Sequence, residues 1–136
     1  MVESVKYEHW SKIPKHVWRW ENFTPEEIAS KGDDDNSILI HFKSLDMLQE
    51  ARSAVKLPFI INSAYRTPEY NAAVDGSPNS MHLTGQAFDI SLDNHDKFLL
   101  LAALRDAGFT GFGGYTNFIH ADTGRERWWG QDWVTS

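Results

Sequence analysis

Two histidines and one aspartate, carried by two separate segments, have the residue types of a metal site. His82 and Asp89 stand together in residues 80–89, and His120 follows in residues 118–122. Two imidazoles and a carboxylate are a usual ligand set for catalytic zinc, which keeps a fourth position open for water or substrate. Zinc held in this way makes water more acidic and polarises a carbonyl, so the pattern predicts a hydrolase.

Hydrolysis of an amide also needs a proton acceptor and groups that hold the substrate. Asp122 lies two residues after His120, so both side chains would point to the same face of a strand, and we predict Asp122 as the general base. Arg66 follows a predicted strand, where its guanidinium can bind a terminal carboxylate or a developing oxyanion. Ser80 and Tyr115, close in sequence to the ligands, are predicted to contact the substrate, and Ser80 could instead order the ligand loop.

Each of these residues has a plainer interpretation when it is taken alone. His82 would be a loop histidine, Asp89 the strand partner of an arginine, and His120 a hydrogen-bonded sheet histidine. Asp122 would be a turn carboxylate, and Arg66 an ordinary surface ion pair of little energetic value. Only the joint pattern favours a site over these alternatives.

Three tryptophans near the end of the chain allow two interpretations. Trp128, Trp129 and Trp133 could form an aromatic wall over a substrate groove. They could equally anchor a C-terminal tail to the core, and this second interpretation is favoured because aromatic clusters usually supply buried area.

Composition narrows the class of protein. The chain has 136 residues, 41% of them hydrophobic, which predicts a single catalytic domain over residues 1–136 with an N-terminal arm, about residues 1–23, packed on it. Cysteine is absent, so any metal must be held by histidine or carboxylate side chains. The net charge of −6 without a basic run argues against a nucleic-acid partner.

The distribution of apolar residues bears on location. No apolar stretch approaches the roughly 18 residues that a membrane span needs, and the first ten residues lack the apolar region of a signal peptide. We therefore expect a monomer without a membrane span, made in the cytoplasm.

Hydrophobic periodicity and turn signals predict an α+β fold, with a small antiparallel sheet and helices packed around it. Thr24, Thr67 and Gly108 provide clear helix boundaries, whereas residues 1–23 are too irregular for an assignment. The predicted helices start at Thr24, cover 44–55, run from Thr67 to about Val74, and run from Asp93 or Asn94 to Gly108. The predicted strands are 37–41, 58–63, 87–91, 109–115 and 118–122.

Several ordered motifs resemble a known family, the zinc D-alanyl-D-alanine peptidases, which are relatives of the hedgehog signalling domain. The resemblance covers roughly residues 58–129, with the helix that starts at Thr24 similar to the family's lead-in. The motifs are Ser63-Ala64-Tyr65-Arg66-Thr67-Pro68 with Tyr70-Asn71, Ser80-x-His82-x-x-Gly85-x-Ala87-x-Asp89, Gly111-x-Gly113-x-Tyr115, and Phe118-x-His120-x-Asp122-x-Gly124.

The resemblance implies a hedgehog/D,D-peptidase-like fold and a zinc enzyme that cuts bonds beside D-amino acids in peptidoglycan peptides, as carboxypeptidase or endopeptidase. It implies His82, Asp89 and His120 as zinc ligands and Arg66 as the residue that orients the substrate. A small phage endolysin is one form that such a cell-wall hydrolase takes. Without a signal peptide, we expect such an enzyme to reach the cell wall by lysis or through a pore made by a second protein, such as a phage holin.

One position departs from the family pattern. Many members carry a catalytic carboxylate three residues before the last histidine, and Asn117 occupies that position here. Asparagine cannot accept a proton as a general base, so the task passes to Asp122 or activity is lost. The second case is an alternative function, a zinc-bound and inactive interaction module of the hedgehog type.

Overall fold

The computed structural model of the chain describes residues 2–32 and 36–130. These residues form seven strands and four α-helices, with short 3-10 helices at Trp10–Lys12 and Met81–Thr84. In chain order the elements are β1 (Ser4–Tyr7), α1 (Pro25–Ile28), β2 (Ile38–His41), α2 (Phe42–Val55), β3 (Ile61–Ser63), α3 (Pro68–Ala73), β4 (Ala87–Ser91), α4 (Lys97–Ala107), β5 (Gly111–Gly114), β6 (Phe118–Asp122) and β7 (Arg127–Gly130). Within these ranges no helix has the length and apolar character that crossing a membrane requires.

The strands form a two-stranded and a five-stranded sheet. Strands β1 and β2 pair antiparallel, while the larger sheet has the order β3-β4-β6-β5-β7. The first four strands of the larger sheet are antiparallel, as predicted, but β7 pairs parallel to β5 at the edge. The α+β class is therefore confirmed, whereas the more specific hedgehog-like fold stays a prediction.

Local sequence signals explain where the first two helices begin. Thr24 caps α1 through its hydroxyl, and Glu27 reaches back to the Thr24 N–H, which confirms the predicted capping box. Helix α2 starts two residues before the predicted cap, because the His41 ring accepts a hydrogen bond from the Ser44 N–H. The Ser44 hydroxyl instead lies 2.8 Å from the Gly85 carbonyl, which joins α2 to the loop that follows α3.

Helix α4 starts later than predicted. Asn94 adopts a left-handed conformation, with φ of 66°, and therefore belongs to the turn before the helix. The Asp96 carboxylate accepts hydrogen bonds from the N–H groups of Phe98 and Leu99, which makes Asp96 the cap. Gly108 ends the helix in a left-handed conformation, as predicted.

The hydrophobic core lies on one face of the larger sheet, under α2 and α4. Phe88 and Ile90 of β4 and Ile119 of β6 point into it. The N-terminal arm contributes Trp20, whose ring nitrogen donates to the Asp46 carboxylate at 2.8 Å. Because side chains alternate along a strand, the intervening residues of β4 and β6 point to the opposite face.

Substitutions in α4 test the position of the core. Leu104 is 0% exposed and Leu99 is 71% exposed on the same helix. We expect Leu104→Ala to lower the free energy of unfolding by about 2–5 kcal/mol, since it removes buried methyl groups and leaves a cavity. The matched control, Leu99→Ala, should change it by less than about 0.5 kcal/mol. Equal effects of the two variants in denaturant unfolding would show that α4 is packed by a different face.

Candidate metal centre

The register of the larger sheet brings two predicted ligands side by side. Asp89 of β4 is the direct partner of His120 of β6, in a row that begins with Ser63 of β3. The same row continues through Gly113 of β5 to Trp129 of β7. Partners in such a row have Cβ atoms only about 4.5–5.5 Å apart and project from the same face. Backbone pairing alone therefore places Asp89 and His120 within reach of one ion.

The third predicted ligand, His82, comes from the 3-10 helix that precedes β4. The Ser80 hydroxyl accepts from the His82 N–H and caps this helix, and Gly85 ends it with φ of 72°. A Cβ at Gly85 would lie 2.7 Å from the Leu39 carbonyl oxygen, so glycine is required there. His82 Nδ1 lies 2.6 Å from the Ala64 carbonyl, which only accepts, so Nδ1 carries the hydrogen and Nε2 is left as the ligand atom.

The spacing of the three donor atoms fits zinc. Asp89 Oδ1 lies 3.2 Å from His82 Nε2 and 2.9 Å from His120 Nδ1. The three ligand atoms lie within 4.8 Å of one another, and all three residues are buried. Tetrahedral zinc with bonds of about 2.0–2.2 Å separates its ligand atoms by about 3.3 Å. His82, Asp89 and His120 therefore form a candidate metal centre, as the sequence predicted.

Burial and hydrogen bonding act in opposite directions on the ionisation of this cluster. Burial alone would raise the pKa of Asp89, but hydrogen bonds with His120 and His82 lower it below its ordinary value. Burial alone would lower the pKa of His120, but hydrogen bonds with Asp122 and Asp89 raise it above the ordinary value. Both ring nitrogens of His120 thus face carboxylate oxygens, which favours the protonated form of the ring.

Asp122 lies behind the His120 ring, on the side away from Asp89. Its Oδ2 atom is 2.7 Å from His120 Nε2, and its side chain is fully buried. Both carboxylate oxygens also accept from the Arg127 guanidinium, and Oδ1 accepts from the Gly124 N–H. Burial would raise the pKa of Asp122, but these hydrogen bonds lower it. The role of Asp122 as base stays a prediction, and its contacts favour a different role, the orientation of His120.

Arg66 is joined to the cluster instead of lying free on the surface. Its guanidinium donates to Ser63 Oγ at 3.0 Å, Asn71 Oδ1 at 3.1 Å and Asp89 Oδ2 at 3.3 Å. The buried Asn71 also donates to the Ser77 carbonyl, so it connects α3 to the turn before His82. Arg66 thus lies against a metal ligand, with 15% of its side chain exposed. Its predicted role toward a substrate stays a prediction.

An open cleft of about 610 Å³ lies over the candidate metal centre. Every site residue predicted from the sequence lines it, including both residues predicted to contact the substrate. The seven predicted residues are Arg66, Ser80, His82, Asp89, Tyr115, His120 and Asp122. The structure therefore brings together the whole predicted set.

The last described strand adds Arg127, which the sequence analysis did not single out, and Trp129, for which it favoured a core anchor over a place in a substrate groove. Arg127 and Trp129 line the cleft, and the Trp129 ring lies 5.1 Å from the His120 ring. The Trp129 ring nitrogen donates to the Tyr115 hydroxyl at 2.9 Å. Trp128 contacts Phe112 of the core with its ring tilted by 31°, but it is 41% exposed. The position of Trp129 agrees with the groove interpretation, the core anchor stays a prediction, and Trp133 lies outside the described residues.

Proton release tests the ionisation of this cluster. Its raised pKa and the carboxylate oxygens beside both ring nitrogens favour the protonated form of His120, and a metal must displace that proton, since only the neutral ring is a ligand. We expect Zn²⁺ binding near pH 7 to release a proton, measured by calorimetry in buffers of different ionisation enthalpy. The apparent affinity should weaken as the pH falls. Binding without proton release would contradict this protonation state.

The comparisons with known proteins agree with this geometry. Residues 21–122 match the family model described as Peptidase M15. A zinc D-Ala-D-Ala carboxypeptidase of Streptomyces albus G is 32% identical over an alignment of 88 residues, which covers 60% of this chain and 34% of the relative. The chain thus spans about a third of the length of this curated relative. The match to the family model covers the three candidate ligands, and on this basis the chain belongs to the peptidase M15 family.

Proposed function

We propose that this protein is a zinc-dependent peptidase that hydrolyses bonds next to D-amino acids in the stem peptides or cross-links of peptidoglycan. The observation that carries the proposal is the buried set of His82, Asp89 and His120 under an open cleft. Membership of the peptidase M15 family and the similarity to a zinc D-Ala-D-Ala carboxypeptidase support the reaction and the metal. A cell-wall hydrolase of the phage endolysin type is one form of this proposal.

Some side chains of the site hold the metal, and others hold the peptide. When bound, zinc acts as a Lewis acid that activates water and polarises the scissile carbonyl. The Ala64 carbonyl and the Asp122 carboxylate fix the two histidine rings from behind. In this proposal Arg66 presents positive charge beside the metal, where it orients a substrate carboxylate or steadies the developing oxyanion.

The residues that line the cleft are suited to a peptide. Ser80 and Tyr115 line it with hydroxyl groups, and the Trp129 ring next to His120 offers an apolar surface. Small methyl side chains such as those of alanine would fit against this surface, while the hydroxyls hydrogen-bond the peptide backbone. As a carboxypeptidase, the enzyme would bind the terminal carboxylate of the peptide at Arg66. As an endopeptidase, it would need no peptide terminus there.

Digestion of purified peptidoglycan tests the proposed reaction. With zinc, the protein should release peptide fragments, and mass spectrometry of the products identifies the bond cut. His82→Ala should reduce release to the level of the metal-free protein, because it removes a ligand from the buried centre. His16→Ala, which changes an exposed histidine outside the cleft, is the matched control and should keep full activity. Intact peptidoglycan with fully zinc-loaded protein would contradict the proposal.

A substitution of Asp122 separates its two candidate roles. Asp122→Asn keeps the size of the side chain but removes the charge that receives the His120 N–H. If Asp122 orients His120, we expect zinc affinity to fall by roughly 10-fold or more together with the rate. If Asp122 is the base, the rate should fall while zinc affinity is kept. A full rate with normal zinc binding would exclude both roles.

Asn117 favours one other function, a zinc-bound module that is not catalytic. Asn117 is exposed, and its carbonyl accepts the Leu92 N–H between β4 and β6, a structural contact. It lies outside the residues that line the cleft. The digestion experiment distinguishes the two functions, because an inactive module binds one zinc and leaves the peptides intact.

A further inference from the structure

Strand β5, which lies between β6 and β7, carries two glycines, Gly111 and Gly113, that leave space over the sheet. In register, Gly111 lies between Asp122 of β6 and Arg127 of β7. A Cβ at Gly111 would overlap both Arg127 Nη1 and Asp122 Oδ1. The two side chains therefore meet directly above Gly111, across a strand that separates their backbones. No other residue type at position 111 leaves room for this pair.

The contact between the two side chains is bidentate. Arg127 Nη1 lies 2.9 Å from Asp122 Oδ1, and Arg127 Nη2 lies 2.7 Å from Asp122 Oδ2. The planar guanidinium matches the carboxylate in this geometry and fixes the plane of the carboxylate as well as its position. The Arg127 side chain is itself held by the Arg125 carbonyl at 2.9 Å and by the Trp129 ring, 4.9 Å from its guanidinium carbon.

One of these two carboxylate oxygens also contacts a residue of the candidate metal centre. Asp122 Oδ2 is 2.7 Å from His120 Nε2, while His120 Nδ1 faces Asp89. We propose that Arg127 is a positioning residue, which holds Asp122 so that His120 presents Nδ1 to the metal. This inference rests on the proposed zinc site. It predicts that β7, through Arg127, increases the affinity for the metal.

The positive charge of Arg127 and its proposed positioning role have opposite effects on the affinity for the metal, which makes the proposal testable. An arginine near a cation site repels the cation, so the loss of its charge alone would strengthen metal binding. The loss of a residue that orients a ligand weakens it, typically 10-fold to 100-fold. Arg125 lines the same cleft, and its guanidinium makes no hydrogen bond to Asp122. Arg125→Gln therefore removes the same charge without changing the Asp122 contacts.

The experiment compares zinc affinities by competition with a chromogenic chelator. Arg127→Gln should bind Zn²⁺ at least about 10-fold more weakly than the parent protein. Arg125→Gln should bind within about twofold of the parent or slightly tighter, since solvent screens a charge at the rim. Arg127→Lys should fall between the parent and Arg127→Gln, because a lysine keeps the charge but cannot contact both carboxylate oxygens. Thermal unfolding of the metal-free variants identifies those that fold.

Each outcome decides a different point. Unchanged zinc affinity in folded Arg127→Gln would overturn the positioning role, as would a gain equal to that of Arg125→Gln. Unchanged affinity with a raised KM would instead assign Arg127 to the substrate. If Arg127→Gln does not fold, Arg127→Lys decides by the same comparison, with affinity equal to the parent counting against the role. A parent protein that binds no zinc would overturn the proposed function instead.

Discussion

The structure depends on the antiparallel register between β4 and β6. A shift of one residue would exchange the two faces of each strand. The present register buries Phe88 and Ile119 in the core on one face and pairs Asp89 with His120 on the other. The apolar residues therefore hold the ligands in place, because any slip that separated Asp89 from His120 would also expose core side chains. Hydrophobic burial stabilises a polar site on the opposite side of the sheet.

The same register explains the glycines of β5. Gly111 and Gly113 face Asp122 and His120, where a side chain of their own would fill the site. At Gly113 a Cβ would lie 2.6 Å from the Trp129 ring. The strand thus contributes space instead of side chains. Side chains from the strands on both sides meet above it, and this arrangement adds a second layer of contacts behind the metal ligands.

The sequence predicted the ligands because their types and spacing already imply the chemistry. It also gave β4 and β6 the bounds that the structure shows, since both strands alternate clearly. It did not single out Arg127, and for Trp129 it favoured the core over the cleft. The reason is that β7 is a partly exposed edge strand without a buried face, and its parallel pairing depends on distant residues. For Asp122 the sequence identified the position, but its partners depend on the sheet register, so the role they favour could not be read from the chain.

A crystal structure of the zinc-loaded protein, with anomalous data collected at the zinc edge, tests the central claim most directly. We expect one strong anomalous peak, from a zinc ion bound by His82 Nε2, a carboxylate oxygen of Asp89 and His120 Nδ1, with His120 Nε2 still on Asp122. A peak elsewhere in the molecule, or a zinc ion bound through His120 Nε2, would contradict it. The first result would show that the row of paired residues across the sheet does not form the metal site, and the second that Asp122 does not orient the His120 ring.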